Sequence, residues 1–292
     1  MNFMTYDFAV IGGDLRQVYM AEDLSSRGFS VLLYGLENLC GKADMEHAKS
    51  LAQAIDSSKV ILTPIPFTKN GIHILSVDTK PDLTPEILCT HLKKGHKLYG
   101  GCFTKDIRSF CEAGGIYYND FMEEEEVTLF NTIATAEGTI AEAIISSGGN
   151  LHGSSCLILG YGRCAKTLAE KLKALCGELT VAARSPLAIA QAKTSSFNAL
   201  ALLELTNVIS EYDYIFNTVP ALVLDRGLLE KTKQDVTIID IASAPGGVDF
   251  TAAKELSRNA RLCLGLPGKY APKASAAFLT RYLLSSLGEK AV

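Results

Sequence analysis

The segment from residue 156 to 165 constrains the fold of this chain most strongly, because an apolar run leads there directly into a glycine-rich turn. The run Cys156-Leu157-Ile158-Leu159 predicts a buried strand, and an amphipathic helix is predicted to begin at Arg163. The turn between them has the form G-x-G-x-x-A, which is weak evidence alone but typical of a dinucleotide site in this context. The alternative is a glycine-rich turn without a ligand. We therefore expect the turn to bind a cofactor through Gly160, Tyr161, Gly162, Arg163, Cys164 and Ala165.

Each small residue of this turn has a distinct physical role. Gly160 permits the tight turn, Gly162 lets the backbone approach the pyrophosphate, and Ala165 allows close packing of the helix on the strand. The N–H groups at the start of the helix face the anion. The helix is predicted to end at Gly177 and to bury Ala165, Leu168, Ala169, Leu172 and Leu175.

The end of the next predicted strand, Leu179 to Ala183, bears on the choice between NADP and NAD. NAD-selective sites place an Asp or Glu about 20 residues after the turn, where it binds the ribose 2′-hydroxyl. This strand ends instead in Arg184 and Ser185. A guanidinium binds phosphate oxygens bidentately and stacks on adenine, so the pair favours NADP, with NAD as the alternative. An arginine that only caps a strand end in solvent is the other interpretation.

Later loops of the second half follow three more predicted strands: Tyr214–Phe216, Thr237–Ile241 and Leu262–Leu264. Ligands of open α/β sheets bind outside the carboxyl ends of the strands. We therefore expect residues near the nicotinamide ribose at Thr218, Val219 and Pro220, and substrate contacts at Ser243 and Lys269. Ordinary turns without a ligand are the alternative for each of these positions.

The first half of the chain also alternates strands with helices, which predicts a mostly parallel sheet. Its strands are expected at Phe8–Ile11, Ser30–Tyr34, Val60–Leu62, Lys97–Tyr99 and Ile116–Tyr118. A long helix should follow, with one apolar face formed by Ile133, Ala136, Ile140, Ala143 and Ile144. The predicted fold class is α/β, with two doubly wound parallel-sheet (Rossmann-like) domains joined by that helix.

The predicted domain organisation has four parts. Residues 1–130 form a substrate and catalytic α/β domain, residues 131–150 the connecting helix, and residues 151–268 the NAD(P)-binding domain. Residues 269–292 form a C-terminal helix that is expected to pack back on the first domain.

The turn after the first strand, Gly12-Gly13-Asp14, does not complete a dinucleotide fingerprint. We interpret it as an anion-binding helix start that faces the interdomain cleft, with Arg16 as a partner for a substrate carboxylate. Three residues of the long helix are expected to face the same cleft: Thr132, Thr135 and Glu137. Glu137 is the candidate general base. Surface solvation is the alternative for each of these positions.

The charge of the chain is unevenly distributed. Residues 1–150 carry 12 Lys and Arg against 20 Asp and Glu, whereas residues 151–292 carry 16 against 12. The net charge of −4 argues against nucleic acid as a general partner, and the basic second half suits an anionic ligand, with a chance imbalance on solvated faces as the alternative. No apolar stretch approaches the roughly 20 residues of a membrane span, and the N-terminus lacks the basic region of a signal peptide, which predicts a cytoplasmic protein.

The cysteines and histidines give no sign of a metal site. The eight cysteines include no C-x-x-C pair, so reduced thiols without a catalytic role are expected. The five histidines show no acid partner by spacing. We therefore predict no bound metal.

Seven segments in order resemble one family, the A subunit of dipicolinate synthase. Each segment is weak evidence alone, but together they span the chain and are specific. They are Val10–Gln17, Ala136–Ile140, Leu159–Arg163, Ala182–Ser185, Asn217–Pro220, Asp240–Phe250 and Gly265–Lys273.

The resemblance implies an enzyme of endospore formation that acts in the mother-cell cytoplasm. It implies NADP-dependent oxidation and dehydration of 4-hydroxy-tetrahydrodipicolinate to dipicolinate, together with a second, flavoprotein-like B subunit. The substrate would be a small dicarboxylate, held by Gly12, Gly13, Asp14, Arg16, Thr135, Ser243 and Lys269, with Arg16, Glu137 and Lys269 as the catalytic candidates. Association of this chain into a homo-oligomer is a further possibility left open by the sequence.

Two other functions stay open at this point. A shikimate- or 2-hydroxyacid-dehydrogenase-like oxidoreductase has the same layout, although it normally shows a Lys-Asp or His-acid pair. A non-catalytic NADP-binding subunit, whose partner carries the active site, is the other alternative.

Overall fold

The computed structural model describes residues 5–39 and 45–288, which form two compact units. The first unit contains the chain up to Phe130 and again from Ala271 onward, and the second contains Asn131–Tyr270. Each unit is built on one six-stranded, parallel sheet flanked by helices. The predicted fold class, two Rossmann-like α/β domains, is therefore confirmed.

The strands and helices are numbered in chain order. The strands are β1 (Tyr6–Ile11), β2 (Val31–Tyr34), β3 (Glu46–His47), β4 (Ser58–Leu62), β5 (Lys97–Gly100), β6 (Tyr117–Asp120), β7 (Ser155–Leu159), β8 (Glu178–Ala183), β9 (Asn198–Ala201), β10 (Tyr214–Asn217), β11 (Thr237–Asp240) and β12 (Asn259–Leu262). The helices are α1 (Leu15–Ser26), α2 (Leu51–Asp56), α3 (Pro85–His91), α4 (Lys105–Gly114), α5 (Glu125–Ser146), α6 (Arg163–Leu172), α7 (Pro186–Thr194), α8 (Leu205–Val208), α9 (Arg226–Lys231), α10 (Phe250–Glu255), α11 (Leu266–Tyr270) and α12 (Pro272–Leu287).

The two sheets have the same topology. The strand order is β3-β2-β1-β4-β5-β6 in the first unit and, read from the other edge, β9-β8-β7-β10-β11-β12 in the second. In both, the order reverses beside the unit's first strand, between β1 and β4 and between β7 and β10. The crevice outside the carboxyl ends of the strands at such a switch point is where ligands of these folds bind.

Core residues cover both faces of each sheet. Along β1, Phe8 and Val10 pack on one face while Ala9 and Ile11 pack on the other, as expected for a parallel strand that is buried on both sides. Residues Phe278 and Leu283 of α12 complete the first of these cores. The last helix therefore belongs to the packing of the first unit.

Several local predictions from the sequence were wrong. The apolar run at residues 262–264 was predicted as a strand, but β12 ends at Leu262 because its pairing with β11 begins at Asn259. Helix α6 ends at Leu172, which leaves Leu175 39% exposed. On α5, Ile133 and Ile144 are 41% and 56% exposed, so the apolar face is narrower than predicted. The short edge strands β3 and β9 were not predicted.

The thiols described by the structure are all free cysteines, and Cys40 lies outside the described residues. Within residues 5–39 and 45–288 no cluster of His, Cys, Asp or Glu could hold a metal ion. In the same part of the chain, every helix is too short or too polar to cross a bilayer.

Candidate functional site

The glycine turn of the second unit has a shape that only glycine allows. Gly160 has a φ of +93°, and a Cβ atom at this position would lie 2.5 Å from Oγ1 of Thr218 and 3.0 Å from Cγ2 of Val219. Its N–H donates to the carbonyl of Ala182 at 2.8 Å. The turn is thus held against β8 and against the loop after β10, at the switch point of this sheet.

The start of α6 is open. A Cβ atom at Gly162 would meet no other atom within 4 Å, and no side chain caps this end of the helix. Such an end presents N–H groups and a partial positive charge to an anion. Ala165 is fully buried, as close helix-to-strand packing requires. Gly162 and Ala165 therefore have the environments that a pyrophosphate site needs.

The other residues of the turn flank this opening. The ring of Tyr161 is 9% exposed and packs edge-on against Phe197, with ring centroids 6.4 Å apart. Arg163 is exposed, and Cys164 is partly buried. Burial raises the pKa of the Cys164 thiol, so this group is neutral near physiological pH.

Arg184 and Ser185 lie in the open at the end of β8. Both are exposed, and Ser185 does not use its side chain to cap α7. The guanidinium of Arg184 makes no hydrogen bond or ion pair with any residue that the structure describes. It is available to a phosphate on the adenosine ribose, and no carboxylate stands at this position for a 2′-hydroxyl.

A buried polar pair fixes the loops after β10 and β11. Asp240 is fully buried and accepts hydrogen bonds from Nδ2 of Asn217 at 2.8 Å and from the N–H of Gly247 at 2.7 Å. A Cβ atom at Gly247 would lie 2.6 Å from Nδ2 of Asn217, so the loop must carry glycine there. This pair was not predicted, because Asn217 and Asp240 are paired only through the neighbouring strands.

The predicted residues of these loops follow that pair. Thr218 is partly buried and donates through Oγ1 to the carbonyl of Leu159 at 2.8 Å, beside the glycine turn. Val219 is partly buried and Pro220 is exposed. Ser243 is exposed in the loop after β11. The structure thus gathers the predicted cofactor residues at the carboxyl edge of one sheet.

The glycine turn of the first unit is closed by the chain itself. Asp14 caps α1, accepting from the N–H of Arg16 at 2.9 Å, and Gln17 completes a capping box. The N–H of Gly13 donates to the carbonyl of Leu75 at 2.8 Å, and a Cβ atom at Gly12 would lie 2.7 Å from that carbonyl. The sequence predicted that this helix start is free to bind an anion. The structure shows instead that its N–H groups already donate to a carboxylate and a carbonyl of the protein.

Arg16 lies beneath this turn and is 5% exposed. Its Nε donates to Oδ1 of Asp14 at 3.0 Å and its Nη2 to Oδ2 at 2.8 Å, while Nη2 also donates to the carbonyl of Ile65. Although burial raises the pKa of Asp14, the bonds and charge of Arg16 hold it below its ordinary value. The guanidinium is thus held in one orientation across the switch point between β1 and β4.

Lys269 has a partner that the sequence did not reveal. Its ammonium binds the carboxylate of Glu142 on α5, whose side chain is 8% exposed. The hydrogen bond from Lys269 lowers the pKa of Glu142 and raises that of Lys269. The predicted role of Lys269 as a carboxylate-binding cation would require it to leave Glu142.

The remaining predicted residues lie on α5. Glu137 is exposed and accepts from Nζ of Lys171 at 2.9 Å. Thr135 is partly buried and donates to the carbonyl of Asn131 at 2.8 Å, and Thr132 is buried with its Oγ1 2.7 Å from Oγ1 of Thr167. The structure therefore engages each of these side chains within the second unit.

One histidine does have an acid partner, which corrects the expectation from spacing. Nδ1 of His91 lies 2.9 Å from Oδ2 of Asp56. These residues end α3 and α2, which lead into β5 and β4, so the pair lies at the amino edge of the sheet. Ligands of such sheets bind at the opposite edge, and the pair is therefore not placed like a dehydrogenase His-acid pair.

Comparisons with known proteins cover the whole chain. Residues 7–122 match the family model of the N-terminal domain of the dipicolinate synthase A subunit. Residues 131–252 match the NAD-binding domain of D-isomer specific 2-hydroxyacid dehydrogenases. The A subunit of dipicolinate synthase from Bacillus subtilis (strain 168) is 28% identical over 96% of this chain and 95% of its own length.

Solved structures of the same name are also similar. The crystal structure of the dipicolinate synthase A subunit from Bacillus halodurans is 28% identical, with a TM-score of 0.85 over 99% of this chain and 100% of that chain. The A chain from Bacillus subtilis is 26% identical, with a TM-score of 0.81 over 97% and 96% of the two chains. The resemblance inferred from the seven segments is therefore confirmed, and the second unit is similar to a nicotinamide-dinucleotide-binding domain of the dehydrogenase type.

Proposed function

We propose that this chain, which is related along its whole length to the A subunit of dipicolinate synthase, carries out NADP-dependent oxidation and dehydration of 4-hydroxy-tetrahydrodipicolinate to dipicolinate. The observation that carries the proposal is the open, uncapped start of α6 in a chain whose first unit matches the dipicolinate synthase domain. Loss of one water, one hydride and one proton balances the conversion. Formation of the aromatic ring supplies the driving force, so the protein mainly has to orient the ring and move one proton.

The second unit would hold the cofactor. Gly160 and Gly162 would place backbone against the pyrophosphate, and Thr218 would border the nicotinamide ribose. When bound, the nicotinamide would accept the hydride. Arg184 and Ser185 would bind a 2′-phosphate, which is why we propose NADP rather than NAD.

The first unit would hold a carboxylate of the substrate through Arg16. Lys269 and Glu137 remain proposals for the second carboxylate and for the base that accepts the ring proton. Each is engaged in an ion pair, with Glu142 and Lys171 respectively. Catalysis through either residue would therefore require that pair to open.

The setting of the enzyme is part of the same proposal. The curated relative is named as one lettered component of a synthase, which implies at least one more component. We propose that this partner is a flavoprotein-like B subunit. We further propose that the complex works in the mother-cell cytoplasm during sporulation. A homo-oligomer of this chain would be compatible with it.

A second candidate is a 2-hydroxyacid dehydrogenase, since residues 131–252 match the NAD-binding domain of that family. The match covers the cofactor unit and says nothing of the substrate. The one His-acid pair of the described residues lies at the amino edge of the first sheet, which argues against this chemistry. Turnover of a simple 2-hydroxyacid by the purified chain would favour it.

The test is the absorbance of reduced nicotinamide after purified chain receives NADP+ and freshly generated 4-hydroxy-tetrahydrodipicolinate, with and without the B subunit. An increase with this chain alone is expected. An increase only with the partner, surviving substitution of Arg16 and Glu137, would support a non-catalytic NADP-binding role. The absence of any increase, despite measurable NADP binding, would overturn the proposed reaction.

A further inference from the structure

The loops at the carboxyl edge of the first sheet meet around one guanidinium. Asp14 of the turn after β1 grips Arg16 on one side, and the carbonyl of Ile65, in the loop after β4, accepts from Nη2. A Cβ atom at Gly101, after β5, would lie 2.8 Å from the Ile65 side chain, so only glycine lets this loop approach so closely. Three loops are thus locked together by the position of Arg16.

This arrangement leaves one end of the guanidinium unused. Nε and Nη2 are taken by Asp14 and Ile65, whereas Nη1 donates to no residue that the structure describes. The residue keeps 5% of its surface exposed. A guanidinium with a single open nitrogen can donate to one carboxylate oxygen through that nitrogen. It cannot form the two parallel hydrogen bonds of a bidentate arginine–carboxylate pair.

Cys102, in the loop after β5, lies near Arg16. It is exposed, has a φ of +59°, and its N–H donates to Oδ1 of Asp120 at 2.9 Å. It lies close enough to Arg16 for the guanidinium charge to act on its thiol, although burial raises the pKa of that thiol overall. The thiol is therefore an uncharged neighbour that does not compete with a carboxylate for Arg16.

We propose that Asp14 is a positioning residue, which holds Arg16 so that Nη1 alone binds one carboxylate of a planar heteroaromatic dicarboxylate at the β1/β4 switch point. Asp14 was expected from the sequence to contact the substrate itself. Its carboxylate instead forms an ion pair with the guanidinium of Arg16, and a direct contact with an anionic substrate would be repulsive. The assignment deepens the proposed function and depends on it for the identity of the ligand.

The chain offers a matched control. Asp23, in the last turn of α1, and Arg27, the residue that caps the end of that helix, form an ion pair at 2.9 Å with side chains 27% and 30% exposed. Asp23→Asn removes an Asp–Arg contact from α1 without touching the carboxyl edge. Asp14→Asn keeps an effective N-cap residue, so it weakens the grip on Arg16 with little loss of helix capping.

The experiment is calorimetric binding of pyridine-2,6-dicarboxylate and of pyridine-2-carboxylate to the full chain and to the Asp14→Asn, Arg16→Lys and Asp23→Asn variants. We expect about tenfold weaker binding of both probes for Asp14→Asn and at least that for Arg16→Lys, with no change for Asp23→Asn. The ratio of the two affinities should stay constant, because Arg16 binds only one carboxylate. NADPH affinity should stay within error of the parent chain for Asp14→Asn, whereas its melting temperature should fall, because the buried Arg16 loses the charge of its ion-pair partner.

Turnover separates a positioning role from a structural one. In the assay with reduced-nicotinamide absorbance, Asp14→Asn should raise KM about tenfold and leave kcat within about twofold. Unchanged or tighter probe binding in Asp14→Asn would overturn the assignment, as would an equal loss in Asp23→Asn. Loss of probe binding without any turnover by the parent chain would instead refute the proposed reaction and leave the carboxylate subsite standing.

Discussion

The two units share a strand order but differ in what happens at their glycine turns. In the first unit, Asp14 caps the helix and Leu75 fills the place beside the turn, whereas in the second the helix start at Gly162 has no side-chain cap and faces open space. Ser76 reinforces the closure by donating to the carbonyl of Gly35, at the end of β2. The same fold therefore leaves the helix start of the second unit open to a ligand. In the first unit it closes that helix start and holds Arg16 in place.

A strand, a turn and a helix in the right order therefore do not by themselves make an anion site. What decides is whether the N–H groups at the helix start already have partners.

The largest effect is expected from Gly160→Ala. The new Cβ atom would lie 2.5 Å from Oγ1 of Thr218, at a φ of +93° that disfavours a side chain. Movement of the turn should weaken NADPH binding by about hundredfold or more, corresponding to about 2.7 kcal/mol, as measured by titration of NADPH fluorescence. Gly148→Ala is the control, since a Cβ atom there meets nothing within 4 Å. Equal affinity in both variants would remove the turn from the cofactor site.

Arg184→Ala should have the next largest effect, and it should depend on the cofactor. Loss of a charge-assisted phosphate contact predicts about ten- to hundredfold weaker binding of NADPH. Binding of NADH, which lacks the 2′-phosphate, should change little. Lys193→Ala removes an exposed cation elsewhere in this unit and should change neither affinity. Parallel losses for both cofactors would show that Arg184 does not read the 2′-phosphate.

Gly12→Ala should lower the stability of the fold without changing NADPH affinity, unlike Gly160→Ala. At a φ of +58° and 2.7 Å from the carbonyl of Leu75, the new Cβ should cost about 1–2 kcal/mol of unfolding free energy. NADPH affinity of the folded fraction should not change, because the N–H groups of this turn and helix start already have partners within the protein. Urea denaturation and NADPH titration of the same sample measure the two quantities. A loss of NADPH affinity comparable to that of Gly160→Ala would contradict the comparison.

The smallest effect concerns pH and only the first unit. His96 is 1% exposed, and burial, with the charge of Lys93, lowers its pKa. A histidine with a depressed folded-state pKa is neutral in the fold, so its contribution is fully present above the unfolded pKa of about 6.5 and is lost as pH falls below it.

The loss from this one group should grow until the pH reaches the lowered folded-state pKa and then level off, because His96 is protonated in both states below it. Hydrogen exchange measured between pH 7 and pH 5, and corrected for intrinsic rates, should show protection falling at β5. Protection at β10 should not fall in the same way. His152, exposed in the second unit, provides the control through His152→Gln, which should leave both profiles unchanged. A steeper loss of protection at β10 than at β5 would contradict the assignment of this pH dependence to His96.

Much of the fold could be predicted because its signals are local. Apolar runs, turns and helix periodicity identify the longer strands, and the glycine turn at residue 160 could be predicted in detail from its spacing. The edge strands β3 and β9 could not be predicted, because both are short, β3 is exposed and β9 is only partly buried, so the hydrophobic pattern is weak there.

The parts of the site that the sequence did not reveal depend on residues far apart in the chain. The closure of the first turn comes from Leu75 and Ser76, in an irregular segment without periodicity. The buried partner of Lys269 is Glu142, 127 positions away, and Asn217 meets Asp240 only through sheet pairing. Long-range pairing of this kind has no signature in a single sequence, whereas a capped or uncapped helix start depends on both the local residue and what packs over it.

The most direct test of the central comparison is hydrogen exchange of the full chain with and without NADPH, and with and without pyridine-2,6-dicarboxylate. NADPH should protect peptides covering residues 160–166 and 184–187 and leave residues 12–17 unchanged, whereas the dicarboxylate should protect residues 12–17. Protection of residues 12–17 by NADPH alone, or no protection of residues 160–166, would contradict that comparison.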